Sequence, residues 1–293
     1  MAVEKAVHSV SILCRVLGVS RSGYYAWARR SPSARQLEDE ALLQEIREIH
    51  QASRETYGVP RVHATLRRER GRHCSRKRVA RLMRVAGLHG ISRRRAKGCT
   101  RRNPADDLAP DLVRREFTAV APDQLWLGDI TQHPTGEGWL YIAAVLDVFS
   151  RKVIGWAMSA SLEVQIVLAA LDMAVRSRRP LPGRTIHHSD HGAQYTAMVF
   201  GQRLEASGLV GSMGSVGDAF DNAMMESFWA TLQTELLDRK TWATRSALRS
   251  DIFEFIEVFY NSTRAHSSLD NLSPKAFEER WYRMTTHDQS CAS

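Results

Sequence analysis

The sequence predicts an α/β domain with a mixed sheet, preceded by an all-α region. Apolar residues recur with helical spacing up to residue 87, and from residue 123 the spacing becomes that of strands. The charge divides the chain in a similar way. Residues 1–103 contain 24 Lys and Arg against 8 Asp and Glu, a net charge of +16, whereas residues 104–293 have a net charge of −7. The basic part suits a polyanionic partner, unless its charges only solvate the surface.

The composition is that of an ordinary globular protein with room for about two domains. Of its 293 residues, 43% are apolar and 25% are charged, and no apolar run reaches the roughly 18 residues of a membrane helix. The N-terminus lacks the basic and apolar segments of a signal peptide, and so we expect a cytoplasmic protein. The four cysteines have neither zinc-site nor disulfide spacing and are expected to be free thiols: Cys14, Cys74, Cys99 and Cys291.

Residues 1–35 have the pattern of a helix-turn-helix. A first helix presents one apolar face, formed by Ile12, Leu13, Val16 and Leu17. Gly18 breaks this helix, and Ser20 can cap a second one. In such motifs the start of the second helix enters the major groove, which makes Arg21 and Tyr24 candidate DNA contacts. A plain helical hairpin, with the aromatic residues of the second helix as its core, is the alternative.

Residues 36–105 are predicted to contain a second, more basic unit of three helices. The first helix carries Leu42, Ile46 and Ile49 as its apolar stripe, and the third carries Val79, Leu82, Met83 and Ala86. Ser75 can cap the third helix. Its other face is basic, so that Arg76, Lys77 and Arg81 are candidate contacts to DNA phosphates. A charged, solvated helix is the alternative.

A basic arm and a linker complete the N-terminal half. Residues 93–102 lack apolar periodicity and are expected to follow a DNA backbone or to enter a minor groove. Their candidate contacts are Arg93, Arg94 and Arg95. The stretch that follows contains several prolines, and residues 106–122 are interpreted as a linker between the two parts of the chain.

Residues 123–285 are predicted to form the α/β domain, with residues 286–293 as a tail. Three consecutive strands of an antiparallel meander are expected at 124–131, 139–148 and 152–159. The elements after them are a helix at 162–178, a strand at 185–189, a helix at 196–207, a strand at 209–213 and a helix at 221–237. This order, βββαβαβα, describes a mixed sheet with helices on both sides, and further helices are expected at the C-terminus.

Three carboxylates of this domain are candidate metal ligands. Asp129 lies on the first predicted strand, Asp190 at the end of the fourth, and Glu226 beside the apolar stripe of the last helix. Such hard oxygen ligands suit Mg²⁺ or Mn²⁺, and two ions between close carboxylates would relieve their mutual repulsion. Two ions can also activate an attacking water or hydroxyl and stabilise the leaving oxygen of a phosphodiester displacement. The residue types alone do not distinguish this site from unrelated surface acids.

Neighbouring polar residues receive accessory or structural interpretations. His188 can orient water or phosphate, or pack as an ordinary histidine, and the same alternatives apply to His191. Asn222 is a further candidate accessory residue. The remaining acids are interpreted as a hairpin, a loop and a helix-start residue, respectively Asp147, Asp218 and Asp221.

Motifs along nearly the whole chain resemble those of one protein family. The three acids stand in Trp126-x-x-Asp129-Ile130-Thr131, in His188-Ser189-Asp190-x-Gly192 and in Asp221-Asn222-Ala223-x-x-Glu226. A further motif near the C-terminus is Tyr260-Asn261-x-x-Arg264-x-His266-Ser267-Ser268. The motifs resemble those of DDE transposases and retroviral-type integrases. More closely, the chain is similar to the second-frame product of the insertion sequence three family of bacterial transposons.

The resemblance implies an RNase H-like fold in which Asp129, Asp190 and Glu226 form a metal-binding catalytic triad. It implies cleavage and strand transfer at the ends of a mobile element, by a homo-oligomer that binds these ends and target DNA at the nucleoid. It also implies an upstream-frame product, fused or bound to the chain. Gln233 departs from the family pattern, which commonly has a basic residue there, and we expect it to retain a weaker DNA contact. Two alternatives stay open, a non-catalytic DNA-binding regulator of transposition and an RNase H-like nuclease.

Overall fold

The computed structural model describes residues 9–91, 118–190, 192–213 and 223–291, with side chains up to residue 286.

The N-terminal pair of helices is short and buries little surface. Helix α1 spans Val10–Val16 and α2 spans Arg21–Ala28. Ser20 caps α2 as predicted, since its hydroxyl accepts from the Gly23 N–H at 3.0 Å. Cys14 is the one buried residue of the two helices, and so neither the apolar face of α1 nor the aromatic residues of α2 form a core.

The basic unit folds into three packed helices, as the sequence predicts. Helix α3 spans Ala34–Ala52, α4 spans Val59–Glu69 and α5 spans Arg76–Val85. The apolar stripes predicted for α3 and α5 are buried, apart from Ala86, which is half-buried just after α5. Ser75 caps α5 through its hydroxyl, which accepts from the Arg78 N–H at 3.2 Å. Gly87 then turns the chain in the left-handed region, with a φ of +67°.

The C-terminal domain is built on a sheet of five strands. They are β1 Leu125–Thr135, β2 Gly138–Asp147, β3 Val153–Ser159, β4 Ile186–Ser189 and β5 Val210–Met213. The strand order is β3-β2-β1-β4-β5, in which β1, β2 and β3 are antiparallel and β4 is parallel to both β1 and β5. This mixed sheet confirms the predicted α/β arrangement. Strand β1 is longer than predicted, because its pairing with β2 continues to Thr135 and Gly138 at the hairpin turn.

Helices pack on both faces of this sheet. They are α6 Val164–Arg178, α7 Ala193–Thr196, α8 Met198–Ala206, α9 Ala223–Glu235, α10 Arg245–Phe253 and α11 Pro274–Cys291. The helix predicted at 196–207 corresponds to α8, whereas α7 was not predicted; Ala197, with an extended backbone, separates the two. A π-helical segment, Glu254–Tyr260, follows α10. Helix α11 continues beyond residue 285, where the sequence predicted a tail. Within the described ranges, no helix is both long and apolar enough to cross a membrane.

Two hydrophobic cores fill the two sides of the sheet. Successive side chains of β1 point into the two cores in turn. Leu125 and Leu127 belong to the core under α9, and Trp126 belongs to the core under α6 and α8. Gly155 of β3 allows α6 to come close to the sheet. An added Cβ at this position would lie 2.2 Å from the carbonyl oxygen of Ala170.

The three-helix unit packs directly against the α/β domain. Apolar side chains of α3, α4 and α5 share one continuous core with the sheet face under α9. Tyr57 connects the two parts, because its hydroxyl oxygen accepts from the Ala265 N–H at 2.6 Å. Arg61 of α4 contacts Glu235 of α9 across the same boundary, at 3.4 Å. The basic and the acidic parts are therefore joined by a shared core and by polar contacts, which the sequence patterns did not indicate.

Candidate active site

Asp129 lies on β1, and Asp190 lies directly after the neighbouring parallel strand β4. The register pairs Gly128 of β1 with Ser189 of β4, so that each aspartate comes one residue later along its chain. Neighbouring strands lie about 4.8 Å apart, which brings the two acids together where β4 ends, as the sequence predicted for Asp190. Asp129 alternates with Leu127 along the strand and therefore points to the sheet face under α9.

Two hydrogen bonds hold the carboxylate of Asp129. Its Oδ1 accepts from the Ile130 N–H at 2.8 Å, and its Oδ2 accepts from Nε1 of Trp229 on α9 at 2.9 Å. Burial raises the pKa of Asp129 to about 7, and the negative charges of Asp190 and Glu226 raise this pKa as well, against the effect of the two hydrogen bonds. The three acids therefore lie close enough to influence one another.

An open cleft of about 330 Å³ is lined by both aspartates. The Gly192 N–H donates to Oδ1 of Asp190 at 3.0 Å, which orients this carboxylate at the edge of the cleft. Glu226 is exposed in the first turn of α9 and does not line the cleft. It precedes Trp229 by one helical turn, and residues three apart are neighbours on a helix surface. The contact between Trp229 and Asp129 thus also places Glu226 near the aspartates.

The three acids form a donor set that fits a divalent metal ion. All are carboxylates, which supply the hard oxygen ligands that Mg²⁺ and Mn²⁺ prefer. Among the described residues, Asp129 and Asp190 form no ion pair with Lys or Arg, so no protein cation neutralises them. In the same part of the chain, no three His, Cys, Asp or Glu residues lie within reach of one ion. Binding a cation would therefore draw the carboxylates closer together.

Gly128 makes room for a buried histidine beneath the acids. An added Cβ at Gly128 would lie 2.8 Å from the imidazole ring of His187 and 3.4 Å from Tyr195. The His187 ring packs against the rings of Tyr195 and Phe200, at centroid distances of 6.3 and 5.4 Å. Burial lowers the pKa of His187 to about 4, so this ring is neutral near pH 7. A side chain at position 128 would displace this support from below Asp129.

The predicted accessory residues have different environments. His188 is buried in β4, and its Nδ1 lies 3.0 Å from Oγ of Ser212 on β5, which supports the packing role that the sequence left open. Asp147 turns the β2–β3 hairpin, because its carboxylate accepts from the N–H groups of Asp123 and Ser150, both at 2.9 Å. Its predicted structural role is confirmed. The predictions for four other residues fall outside the described ranges: His191, Asp218, Asp221 and Asn222.

Acidic residues of α3 compensate part of the basic face of α5. Arg81 and Arg78 both bind Asp39, at 2.6 and 2.7 Å. The predicted phosphate contact of Arg81 would therefore compete with a carboxylate of the protein itself. Arg76 and Lys77 are exposed at the start of α5, and neither forms an ion pair with a described residue. These two side chains, like the exposed Arg84 in the last turn of α5, are therefore available to a phosphate.

The other predicted DNA contacts are distributed over the molecule. In α2, the Arg21 guanidinium donates to a serine hydroxyl of α1 at 3.1 Å, and Tyr24 packs against the neighbouring aromatic rings. Gln233 of α9 is half-buried, and its side-chain amide donates to Asp238. Three predicted contacts lie outside the described residues: Arg93, Arg94 and Arg95.

A second polar cluster lies behind α9, and the sequence analysis missed it. Arg264 binds Glu235 through Nε at 2.8 Å and Nη2 at 2.7 Å, and both side chains are buried. Arg61 of α4 approaches the same carboxylate. One signal was available, because Glu235 is an acid at a position where the periodicity of α9 requires burial. Trp229 also has a role that the sequence patterns did not indicate, since it packs half-buried against the core while its indole N–H donates to Asp129.

Family models match the two parts of the chain separately. Residues 36–96 match the HTH-like domain, and residues 119–219 and 208–274 match two models of the integrase core domain. The first match covers α3, α4 and α5. The other two cover the sheet, α9 and the cluster of Arg264 and Glu235. DNA is the partner of a protein that combines these domains.

Known relatives extend the similarity over nearly the whole chain. An uncharacterized 31 kDa protein of insertion element IS600 from Shigella sonnei is 43% identical, over 93% of this chain and 99% of its own length. The transposase for insertion sequence element IS904 of Lactococcus lactis is 39% identical, over 85% of this chain and 98% of its own. Transposase InsF of insertion sequence IS3A from Escherichia coli is 37% identical, over 94% of this chain and 96% of its own length. The chain therefore belongs to the insertion sequence three family of transposases and carries an RNase H-like integrase core.

Proposed function

We propose that Asp129, Asp190 and Glu226 are the residues with which this transposase cleaves the ends of its insertion sequence and joins them to target DNA. The observation that carries the proposal is the register of β1 and β4, in which Asp129 and Asp190 each directly follow a residue of the last pair, Gly128 and Ser189. The contact of Trp229 with Asp129 adds α9, and with it Glu226, to the same site. A carboxyl group with a strongly raised pKa beside a cleft is typical of functional sites. We call these three carboxylates the acidic site.

We assign Mg²⁺ or Mn²⁺, as two ions, to the acidic site. The chemistry that bound ions supply is activation of an attacking water or hydroxyl and stabilisation of the leaving oxygen. The chain itself holds the ligands in place. Ile130 and Trp229 fix the carboxylate of Asp129, and the Gly192 N–H fixes that of Asp190. Each carboxylate oxygen has a second lone pair, so these hydrogen bonds leave acceptor sites for a metal ion.

We propose that three surfaces bind DNA. The start of α2 presents Arg21 and Tyr24, and the start of α5 presents Arg76 and Lys77 with Arg81 one turn later. The third surface is the face of α9 on which Gln233 follows Glu226 by about two helical turns. The basic arm with Arg93, Arg94 and Arg95 extends the phosphate contacts. Arg81 takes part only if a phosphate replaces Asp39 as its partner.

We also propose that the transposase acts as a homo-oligomer on DNA, in the bacterial cytoplasm at the nucleoid. An upstream-frame product, fused or bound, is the further partner in this proposal. Exposed apolar side chains on α1 and α2 support such an association, since a partner would cover them. They are Ile12, Val16, Leu17, Tyr25 and Trp27.

The substitution Asp190→Asn tests the assignment of the acidic site. The substrate is a labelled duplex with the inverted repeat that flanks the coding sequence, incubated with Mg²⁺ and analysed on denaturing gels. We expect Asp190→Asn to abolish nicking and to leave DNA binding largely intact, because a neutral amide binds a divalent cation much more weakly than a carboxylate does. A control is Asp172→Asn, since this acid on α6 pairs with Arg203 on the surface and is expected to keep wild-type nicking.

The possible results separate the proposed function from its alternatives. Nicking by Asp190→Asn at the wild-type rate would contradict the acidic site. Wild-type protein that binds element ends but never cuts them would support a non-catalytic regulator of transposition. Cleavage of any duplex, without preference for element ends, would support an RNase H-like nuclease.

A further inference from the structure

A cavity of about 110 Å³ lies on the face of α9 turned away from Glu226. Its polar lining includes Arg61, Arg151, Arg264, Ser227, Thr231 and Ser268. Arg61 belongs to α4, Arg151 to the turn between β2 and β3, and Arg264 to the sequence motif near the C-terminus. We call this cavity the arginine pocket. The acidic site makes no use of that motif, which leaves its role unassigned.

The arginine pocket contains more positive than negative charge. Glu235 binds Arg264 and lies 3.4 Å from Arg61, so that one carboxylate faces two guanidinium groups. Arg151 forms no ion pair with any described residue. His266 adds no charge, because burial, together with the nearby arginines, holds its pKa well below the ordinary value. Around the cavity there are therefore three positively charged guanidinium groups and one negatively charged carboxylate.

An anion is the ligand that fits this arrangement. A charged group that is removed from water is costly unless an opposite charge lies near it. Guanidinium groups bind phosphate through paired N–H groups, and the hydroxyls of Ser227 and Ser268 line the same space as additional donors. The cavity has room for several water molecules at roughly 15 Å³ each, and hence for a phosphate group.

We propose that the arginine pocket binds a backbone phosphate of the DNA on which the acidic site acts. This inference rests on the proposed function. Ser227 directly follows Glu226 in α9, so the pocket begins one residue away from a catalytic carboxylate. Arg61 belongs to the HTH-like domain, and the pocket therefore lies where this domain meets the integrase core. A DNA strand that crosses α9 from the acidic site towards the helical unit would reach it.

Arg151→Gln tests this proposal, with Arg179→Gln as a matched control. Both arginines have left-handed backbones, with φ values of +59° and +49°, and Arg179 lies exposed after α6, outside the pocket. Binding of labelled element-end duplex is measured by fluorescence anisotropy in EDTA, between about 50 and 200 mM KCl. We expect Arg151→Gln to weaken binding several-fold and to reduce the slope of log K against log salt by about 0.9. The control keeps the wild-type slope.

Ser268→Ala supplies a second variant, which removes an exposed neutral donor and leaves the arginines in place. We expect weaker DNA binding with an unchanged salt slope, because a hydroxyl releases no counter-ion. If Arg151→Gln does not fold, the affinity of Ser268→Ala decides the question. If Arg151→Gln folds, a wild-type salt slope in this variant would overturn the proposal. If it does not fold, wild-type DNA affinity of Ser268→Ala would overturn the proposal.

Inorganic phosphate distinguishes a DNA phosphate from a free anion. The Tm of the DNA-free protein is measured with phosphate in place of chloride, at constant ionic strength. A Tm increase that Arg151→Gln abolishes, combined with an unchanged DNA slope, would assign the pocket to free phosphate and overturn its assignment to DNA. Nicking by the wild type is measured in parallel. Normal nicking with an unchanged slope would reject only the arginine pocket, whereas absence of nicking would reject the proposed function.

Discussion

Helix α9 separates two regions of opposite charge, the acidic site and the arginine pocket. In the acidic site, neither aspartate pairs with a cation from the described part of the chain, and the accumulated negative charge helps to raise the pKa of Asp129. In the arginine pocket, Glu235 already neutralises part of the positive charge through Arg264. The difference shows that a carboxylate of the protein itself, Glu235, neutralises the charge of the deeply buried Arg264. In our proposals, the charge that remains in each region binds a ligand, a metal ion in the acidic site and a phosphate in the arginine pocket.

The largest effect is expected from Glu235→Gln, which removes the internal compensation of the arginine pocket. Arg264 is buried and would lose its carboxylate partner, while Arg61 would lose a nearby negative charge. Breaking a buried ion pair on one side costs about 3–5 kcal/mol, and we expect a loss of that size in the free energy of unfolding. Urea unfolding monitored by circular dichroism measures it.

The control for this substitution is Glu254→Gln. Glu254 also pairs with an arginine, Arg54 at 3.1 Å, but its side chain is 61% exposed. Exposed pairs contribute at most about 1 kcal/mol, and so the control is expected to unfold almost like the wild type. Equal small losses in both variants would show that the arginine pocket does not depend on Glu235.

A smaller and opposite effect is expected from Asp129→Asn in the absence of metal. Since the pKa of Asp129 is raised to about 7, the folded state keeps a proton that the unfolded state releases at lower pH. The wild type therefore loses stability as the pH rises from about 4 to about 7. Asp129→Asn lacks this loss and should be more stable at pH 8, by at most about 4 kcal/mol at 1.4 kcal/mol per pKa unit.

Thermal unfolding in EDTA at several pH values measures this difference, which should disappear below about pH 4. Added Mg²⁺ provides the control. It is expected to raise the Tm of the wild type at pH 8 and to have little effect on Asp129→Asn, because one metal ligand is lost. Identical pH profiles for the two proteins would show that the acids of this region do not oppose folding.

The smallest effect is expected from Gln233→Lys, on the same helix as Glu226. A lysine would add a cation to this face of α9, although Asp238, which now binds Gln233, would compete for it. If the face touches DNA, the salt slope of end binding should increase by up to about 0.9. Gln202→Lys, on the exposed surface of α8, is the control. A slope and a cleavage rate that both equal the wild-type values would show that Gln233 does not contact DNA.

Local patterns predicted most secondary-structure elements correctly. Ser20 and Ser75 cap the helices that their positions indicate, because a cap requires contacts to backbone groups only two or three residues away. The strands were predicted nearly as well, because short apolar runs bounded by turn residues mark them, although β1 to β4 contain consecutive buried residues rather than an alternating pattern. The short helix α7 is an exception, because it was not predicted. A single extended residue, Ala197, separates it from α8, and no glycine or proline lies at the break.

The candidate site could be predicted only in part. The motif around Asp129 and the end of β4 identified two acids, and the register of the parallel strands then placed them together. The role of Trp229 could not be predicted, because apolar periodicity describes its indole ring but not its N–H group, which binds an acid 100 residues earlier in the chain. Helix α1 forms where the sequence predicts it, but the structure shows that its apolar face is mostly exposed.

By itself, the sequence determined the division into a basic helical part and an acidic α/β part, most of the elements, and the acids that a metal ion would require. These properties depend on residue type and on spacing of a few residues. Only the tertiary structure decided that the three-helix unit shares a core with the sheet, and that Arg61, Arg264 and Glu235 meet behind α9. The physical reason is that these contacts join distant segments, whose packing depends on side-chain shape and on which charges are buried together.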